Sequence, residues 1–205
     1  DPEAMLALYY IYANLDASRL TQFYNLLGIP TRAGNWLKRA AEAGLPEAQT
    51  LWGRQIMNGR GWYFTKRRRL EAAESWLSRA AEQGYVPAME QMVRVNREQQ
   101  DYAASWQWME QASLYGSFNN RLGLGWCYLD PSYDERCINP QDKVKGWAIL
   151  YALYVEIEDG NSRDIMSWNQ DKLTEDERQQ AEARAASKWI GRQPPISNFP
   201  PRFGY

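Results

Sequence analysis

The 205-residue sequence predicts an all-α fold of the solenoid class, built from about four helix pairs and closed by a C-terminal capping helix. Two observations carry this prediction. The segment WLKRAAEAG at residues 36–44 returns as WLSRAAEQG at residues 76–84, and a proline marks the start of the helix that precedes each copy. A self-similar unit of roughly 20–50 residues with two helices is typical of a helical solenoid.

The repeated segment predicts one amphipathic helix, the second of each pair (helix B). Trp36, Leu37, Ala40 and Ala41 fall on a single face, and the charged residues point away from it. The alanines are small where a neighbouring helix would approach closely. Gly44 follows the last periodic residue, at the position where helices commonly end with a left-handed residue.

The first helix of each pair (helix A) begins at a proline, since the first turn of a helix does not need the N–H that proline lacks. Three such starts are Pro2, Pro46 and Pro87. A weaker copy of helix B covers residues 108–116. The fourth copy is expected to begin at Asn139-Pro140, with Asn139 as N-cap.

Four tryptophans are assigned to equivalent helix-B positions: Trp36, Trp76, Trp108 and Trp147, at offsets of 40, 32 and 39 residues. These side chains are expected to pack between helices. The resulting units cover about 1–44, 45–84, 85–116 and 117–158, within a single solenoid domain over 1–190. The cap at 162–190 contains the capping box Thr174–Glu177, and the proline-rich tail 191–205 is not helical.

Composition excludes several kinds of chemistry. The chain has no histidine, so His-based catalysis and His-ligated metals are excluded, and two cysteines are too few for a structural zinc site. Neither a catalytic residue nor a cofactor is therefore expected. The net charge of −1 argues against nucleic-acid binding, and no apolar run could span a bilayer.

Two remaining patterns that could suggest an enzyme are better explained otherwise. The acid pairs Asp134/Glu135 and Glu156/Glu158 could serve a glycosidase, but acidic residues of solenoid loops are normally solvated. The segment Gly123–Gly125 lacks the third glycine and the strand of a nucleotide-binding fingerprint.

The first candidate binding region surrounds the loop that connects the two helices of the second pair. Trp62 and Tyr63 are aromatic residues outside the repeat positions, as are Trp52, Trp106 and Trp189. Aromatic and arginine side chains dominate protein interfaces. A basic run, residues 66–69, stands just before helix B. It forms either a solvated loop or, together with two nearby arginines, a positively charged handle for an acidic partner or anionic lipid. The six cations of this handle are Arg54, Arg60, Lys66, Arg67, Arg68 and Arg69.

The second candidate region is the insertion at residues 130–139, with Tyr133, Asp134 and Glu135 as possible partner contacts. The spacing of Cys127 and Cys137 permits a disulfide, with two unpaired thiols as the alternative. A disulfide implies an oxidising compartment, and we therefore expect a periplasmic location. Because the chain begins at Asp1, we also expect that a targeting segment has been removed.

These residues resemble the Sel-one-like repeat (SLR) family, relatives of the tetratricopeptide repeats. The family pattern is roughly A…LG..Y..G.G…D…A..W…AAE.G. In the second unit it is matched by Ala48, Gly53, Ile56, Gly59, Gly61, Ala72, Trp76 and Ala80–Gly84, and in the fourth by Arg121–Gly123, Trp126, Asp142-Lys143 and Trp147. The resemblance implies a right-handed superhelix of antiparallel pairs, a concave surface lined by A helices and a non-catalytic role as interaction scaffold.

The sequence departs from the family pattern at two insertions, residues 18–34 and 130–139, where specificity is expected to lie. The resemblance implies a bacterial immunity protein that binds and inhibits a toxic effector enzyme, such as a lipase effector of type VI secretion. Two alternatives stay open: an envelope adaptor for a secretion or polysaccharide-export complex, and a carbohydrate- or lipid-binding module.

Overall fold

The computed structural model describes residues 1–15, 19–134 and 137–191. These ranges contain helices and no β-strand. The α-helices are α1 (Pro2–Leu15), α2 (Arg19–Leu27), α3 (Arg32–Glu42), α4 (Pro46–Met57), α5 (Lys66–Ala81), α6 (Val86–Glu98), α7 (Tyr102–Leu114), α8 (Phe118–Leu129), α9 (Lys143–Ile157), α10 (Gly160–Trp168) and α11 (Glu175–Lys188). Two short 3-10 helices lie at Pro131–Tyr133 and Gln170–Lys172.

The chain forms two compact units, one of residues 1–101 and the other beginning at Tyr102. In the first unit α1 pairs with α3 and α4 with α5, while α6 packs against both α4 and α5. In the second unit α8 packs against α7 and α9, and α9 also contacts α10 and α11. The helices of the predicted third pair, α6 and α7, therefore belong to different units. A single solenoid domain over 1–190 stays a prediction.

The glycine that ends each repeated segment adopts the left-handed conformation, as predicted. Gly44, Gly84 and Gly116 have φ of 91°, 80° and 91°. After α3, the N–H of Leu45 donates to Ala40 O at 3.2 Å and that of Gly44 to Ala41 O at 3.0 Å. The same pair of bonds follows α5 and α7. This Schellman geometry satisfies the last carbonyls and turns the chain towards the next helix.

Glycine lets the two helices of a pair approach closely. A Cβ at Gly53 of α4 would lie 2.8 Å from Leu77 Cγ in α5, and a Cβ at Gly125 of α8 would lie 2.8 Å from Leu150 Cγ in α9. On α9 itself, a Cβ at Gly146 would lie 2.7 Å from Gly125 O. These distances are below van der Waals contact, so the helix pairs require small residues at these positions.

This packing corrects the predicted register of the fourth unit. Since Leu77 and Leu150 occupy the same place against the glycine of helix A, Ile149 is the equivalent of Trp76. The assignment of Trp147 to that position was wrong, although Trp147 is buried at 8% exposure. Because α9 is covered by α8, α10 and α11, it is apolar on several faces, and its sequence pattern does not identify one register.

Asp142, not Asn139, caps the N-terminus of α9, so the predicted cap was wrong. The Asp142 side chain accepts a hydrogen bond from Lys145 N at 2.8 Å. Asn139 instead donates to the hydroxyl of Tyr128 at 3.2 Å, outside the helix. The sequence offers two good capping residues in this segment, and the contact with Tyr128 uses one of them.

The C-terminal part of the second unit ends on α11, which packs against α9. Its capping box is formed by Thr174 and Glu177, as predicted, and Ala181 and Ala185 are fully buried in the contact. Buried Arg121 of α8 donates to Ser113 O at 3.0 Å and pairs with Glu156 at 3.4 Å. Glu156 therefore takes part in a structural ion pair that joins α8 and α9.

We predict that Gly146→Ala destabilises the protein by about 3 kcal/mol, because the added Cβ would collide with the backbone of α8 at Leu129 and Gly125. Urea denaturation measures the change. Gly160→Ala is the matched control, since the nearest atom is the mobile end of Arg163 at 3.9 Å, and its effect should stay within about 0.5 kcal/mol. Equal effects of the two substitutions would contradict the close-packing explanation.

Candidate functional site

The described part of the first insertion, residues 19–34, is mostly helical and contains α2. Within it, α2 ends at Leu27, and Gly28 follows with a left-handed φ of 71°. The last three residues already begin α3, where Thr31 is the N-cap and accepts from Gly34 N at 3.0 Å. The exposed side of the insertion is apolar through Phe23, Leu26, Leu27 and Ile29.

The loop that connects α4 and α5, residues 58–65, lies against this insertion. Gly61 N donates to Asn25 O at 3.1 Å, and a Cβ at Gly28 would lie 3.2 Å from Gly61 Cα. Beyond this contact the loop exposes Trp62 at 72% and Phe64 at 82%. We call the exposed side chains of the two segments the α2–loop surface: Phe23, Leu26, Leu27, Ile29, Trp62 and Phe64.

Arg60 turns from this loop into a cleft between the helices. Its guanidinium lies 4.4 Å from the centre of the Trp52 ring and donates to Gln55 Oε1 at 2.6 Å. Gln55 in turn donates to the hydroxyl of Tyr9 at 2.8 Å. Burial lowers the pKa of the Arg60 guanidinium, and burial raises the pKa of Tyr9 against the opposing effect of Arg54 and Arg60. The Arg60 guanidinium therefore lies in a partly desolvated cleft.

Tyr9 also lines a second groove of about 340 Å³, on the A-helix side of the first unit. Arg54 is exposed in this groove, and Tyr10 donates to Glu47 at 3.2 Å. Burial, together with the Glu47 carboxylate, raises the pKa of Tyr10. Two of the predicted contact residues, Arg54 and Arg60, are therefore brought together around Tyr9.

The basic run was predicted to stand just before helix B. In the structure it instead forms the first turn of α5. Thr65 caps the helix and accepts from Arg68 N at 3.2 Å. Lys66 pairs with Glu98 at 3.4 Å, and Arg67 pairs with Glu71 at 2.8 Å. A Thr cap next to the run offers a strong helix start that the sequence reading overlooked.

Lys66 and Arg67 line a cleft of about 570 Å³ that also contains four acidic residues: Glu71, Glu74, Glu98 and Asp101. This cleft is acidic on balance, whereas the cleft and groove around Tyr9 carry Arg54 and Arg60. Lys66 and Arg67 of the predicted handle therefore lie in a different cleft from Arg54 and Arg60. Their role as partner contacts stays a prediction.

The tryptophans outside the predicted repeat positions have different environments. Trp106 is buried at 4% exposure and meets Tyr128 edge-on at 5.5 Å, so it belongs to the core of the second unit. Trp62 and Trp168 are the most exposed of the described tryptophans, at 72% and 70%. Trp52 is half-buried under Arg60.

In the second unit, Cys127 and Cys137 are joined by a disulfide, with their Cα atoms 5.2 Å apart. It closes the insertion that follows α8, and Gln141 holds the far end of this segment by donating to Leu129 O at 2.9 Å. Asp134 is half-buried and its carbonyl accepts from Cys137 N. The predicted contact Glu135 and the side chain of Tyr133 lie outside the described residues.

Asp130 fixes the near end of the same insertion. It accepts from Ser132 N at 3.1 Å and forms an ion pair with Lys172, from the 3-10 helix before α11. The hydrogen bond from Lys172 lowers the pKa of the Asp130 carboxyl, with a further contribution from Ser132. The insertion is therefore tied to the body of the second unit at both ends.

Among the described residues, no group of three His, Cys, Asp or Glu side chains is arranged to hold a metal ion. No helix within the described ranges is long and apolar enough to cross a membrane. Glu156 accepts from Gly191 N at 2.9 Å in addition to its pair with Arg121, and both contacts are structural.

Four residues of this region were not predicted from the sequence: Phe64, Tyr9, Gln55 and Asn25. Phe64 follows Trp62 and Tyr63 directly, and its aromatic neighbours were a usable signal. The other three residues come from helices α1, α4 and α2, and only the fold brings them together around Arg60. No local sequence pattern predicts that cluster.

No protein-family model matches the chain, and no curated protein matches its sequence significantly. Solved structures do match. A Sel1 repeat protein from Oxalobacter formigenes is similar with a TM-score of 0.54 and 17% identity, over 95% of this chain and 82% of that protein. A protective antigen of uropathogenic Escherichia coli with an SLR fold is similar with a TM-score of 0.48 and 17% identity, over 91% of this chain and 45% of the antigen. The chain thus spans less than half of the antigen's length.

The chain therefore has the fold of the Sel1-like repeat proteins, and the predicted all-α class is confirmed. Helical repeats of this kind present extended surfaces that bind other proteins. The α2 part of the α2–loop surface and the insertion closed by the disulfide lie outside the repeat pattern.

The disulfide predicts that neither Cys127 nor Cys137 reacts with an alkylating agent under non-reducing denaturing conditions, and intact-mass analysis checks this. After reduction both should be labelled, and the free energy of unfolding should fall by about 2–3 kcal/mol, because the closed loop no longer restricts the unfolded chain. Two labels on the unreduced protein would contradict the bridge.

The Asp130–Lys172 pair predicts an acid-dependent contribution to stability. Because the folded-state pKa of Asp130 lies below its ordinary value of 3.8, the contribution is complete above that value and is lost as the pH falls through the folded pKa. Asp130→Asn keeps a capping oxygen but removes the charge, so it should destabilise the protein at pH 7 more than near pH 3.

Urea midpoints across this pH range measure the difference for Asp130→Asn. Asp171→Asn, at an exposed neighbouring position, controls for the loss of one surface charge. A difference between Asp130→Asn and wild type that stays constant with pH would contradict this account.

Proposed function

We propose that the chain is a non-enzymatic protein-interaction module that binds its partner through the α2–loop surface. One observation carries the proposal. Of the fifteen exposed large hydrophobic side chains among the described residues, eight lie between Ile11 and Phe64, and six of these form the α2–loop surface. Contiguous exposed apolar patches mark interaction sites, and Trp and Phe side chains bury much area at little entropic cost.

We further propose that the partner is a toxic effector enzyme of the lipase type, delivered by type VI secretion, and that the chain is the periplasmic immunity protein that inhibits it. Two features support this. Four of the six side chains of the α2–loop surface come from the insertion 18–34, which departs from the repeat pattern and can be specific to one partner. The Cys127–Cys137 disulfide suits an oxidising compartment such as the periplasm.

The tyrosine-lined groove of the first unit favours a second candidate, a carbohydrate-binding module. Tyr9, Tyr10 and Tyr85 line it together with Arg54 and Glu47. Tyrosine combines an apolar ring with a hydrogen-bonding hydroxyl, which suits a sugar ligand. A glycan array distinguishes this candidate from a protein-binding module, since saturable glycan binding that requires these tyrosines supports the sugar ligand alone.

Titration of purified candidate effector lipases with the chain tests the immunity proposal. We expect a tight 1:1 complex by light scattering and a stoichiometric loss of lipase activity. The double variant Trp62→Ala, Phe64→Ala should bind at least about 30-fold more weakly, because truncation of two central aromatic anchors removes much of the buried apolar area.

Trp168→Ala is the matched control, since Trp168 is as exposed as Trp62 but lies on α10 in the second unit. It should leave affinity and inhibition unchanged. Full lipase activity at saturating chain would refute the immunity role. Several weak partners without inhibition would instead identify an envelope adaptor.

A further inference from the structure

Arg60 has no carboxylate partner among the described residues. Its guanidinium contacts the Trp52 ring and Gln55 Oε1, which are both neutral groups. The cleft that it enters has a volume of about 160 Å³. Among the described residues that line it, including Tyr9, Gly34 and Gln55, none is acidic. A half-buried cation normally finds an anion, since desolvation is costly without one.

The surrounding sequence strengthens this imbalance. Residues 48–65 contain the cations Arg54 and Arg60 and no Asp or Glu. The insertion 18–34 also lacks an acidic residue. Moreover, a Cβ at Gly34 would collide with the Arg60 guanidinium, which therefore lies against the first turn of α3. The positive end of that helix adds to the local positive potential.

We propose that the Arg60 cleft receives the carboxylate of an Asp or Glu side chain from the partner protein, flanked in the partner by apolar residues that cover the α2–loop surface. The charge of the cleft selects the carboxylate, and Trp62 and Phe64 on the same loop select the apolar neighbours. This inference rests on the proposed protein-binding function and adds the chemical identity of the partner's anchor.

The test uses the full chain labelled with ¹⁵N-arginine and follows the guanidinium Nε–H signals by NMR. Acetyl-Leu-Glu-Phe-amide is the probe, and acetyl-Leu-Gln-Phe-amide is its neutral match. We expect a saturable shift of the Arg60 signal with the Glu peptide and none with the Gln peptide. Acetate should shift the same signal with lower affinity, because it carries no apolar neighbours to cover the α2–loop surface.

Arg79 is the internal control. It lies 4.9 Å from the centre of the Trp76 ring, in the same kind of cation–π contact, but on the exposed side of α5 and outside the cleft. Its signal should not saturate with any of the three probes. A shift of the Arg79 signal equal to that of the Arg60 signal would show that the shift arises from general screening by anions and not from binding in the cleft, and it would overturn the proposal.

Arg60→Gln should weaken the Glu peptide by about tenfold or more, because a charge-assisted bidentate contact is lost, and Arg60→Lys should weaken it less. Circular dichroism checks that both variants fold. The absence of a saturable Arg60 shift in the wild-type chain overturns the proposal without any variant.

Tighter binding of acetate than of the Glu peptide would overturn the assignment to a protein side chain and identify a site for small carboxylates. Failure of effector inhibition leaves the peptide measurement unaffected. The two proposals can therefore fail separately.

Discussion

The close approach of helices A and B within a pair is the constraint on which the other features depend. In two pairs it requires a glycine in helix A against a leucine of helix B, Gly53 with Leu77 and Gly125 with Leu150. Because this contact holds the two helices of a pair close together, it also fixes the positions at which the connecting segments leave them. The loop 58–65 thereby leaves α4 beside the insertion, and the disulfide-closed segment leaves α8 beside α9.

The repeated residues predicted the helices well because their periodicity, caps and terminal glycines all indicate the same structure. The prediction failed where one of these signals was ambiguous. On α9 the apolar residues surround the helix, so Trp147 was assigned to the wrong position. At Asn139 and Asp142 two capping residues compete, and at Thr65 a cap was overlooked beside four cations.

The candidate site was predicted only in part, for a physical reason. Trp62 and the arginines were recognisable from their residue types, but their arrangement depends on contacts between segments distant in sequence. The bond from Gly61 N to Asn25 O and the contact of Arg60 with Gln55 and Tyr9 have no local signature. Likewise, the charges of Lys66 and Arg67 suggested a free basic patch, whereas both are neutralised by glutamates.

The backbone bond between Gly61 and Asn25 has a consequence for how such a protein diversifies. It fixes the connecting loop to the insertion through backbone atoms and not through side chains, while the glycine at 28 provides the room for that contact. Other side chains on both segments can therefore vary while the contact between the insertion and the loop is kept. The insertion and the loop form a two-part cassette, and a chimaera that exchanges one part alone would inherit a mismatched surface on an intact scaffold.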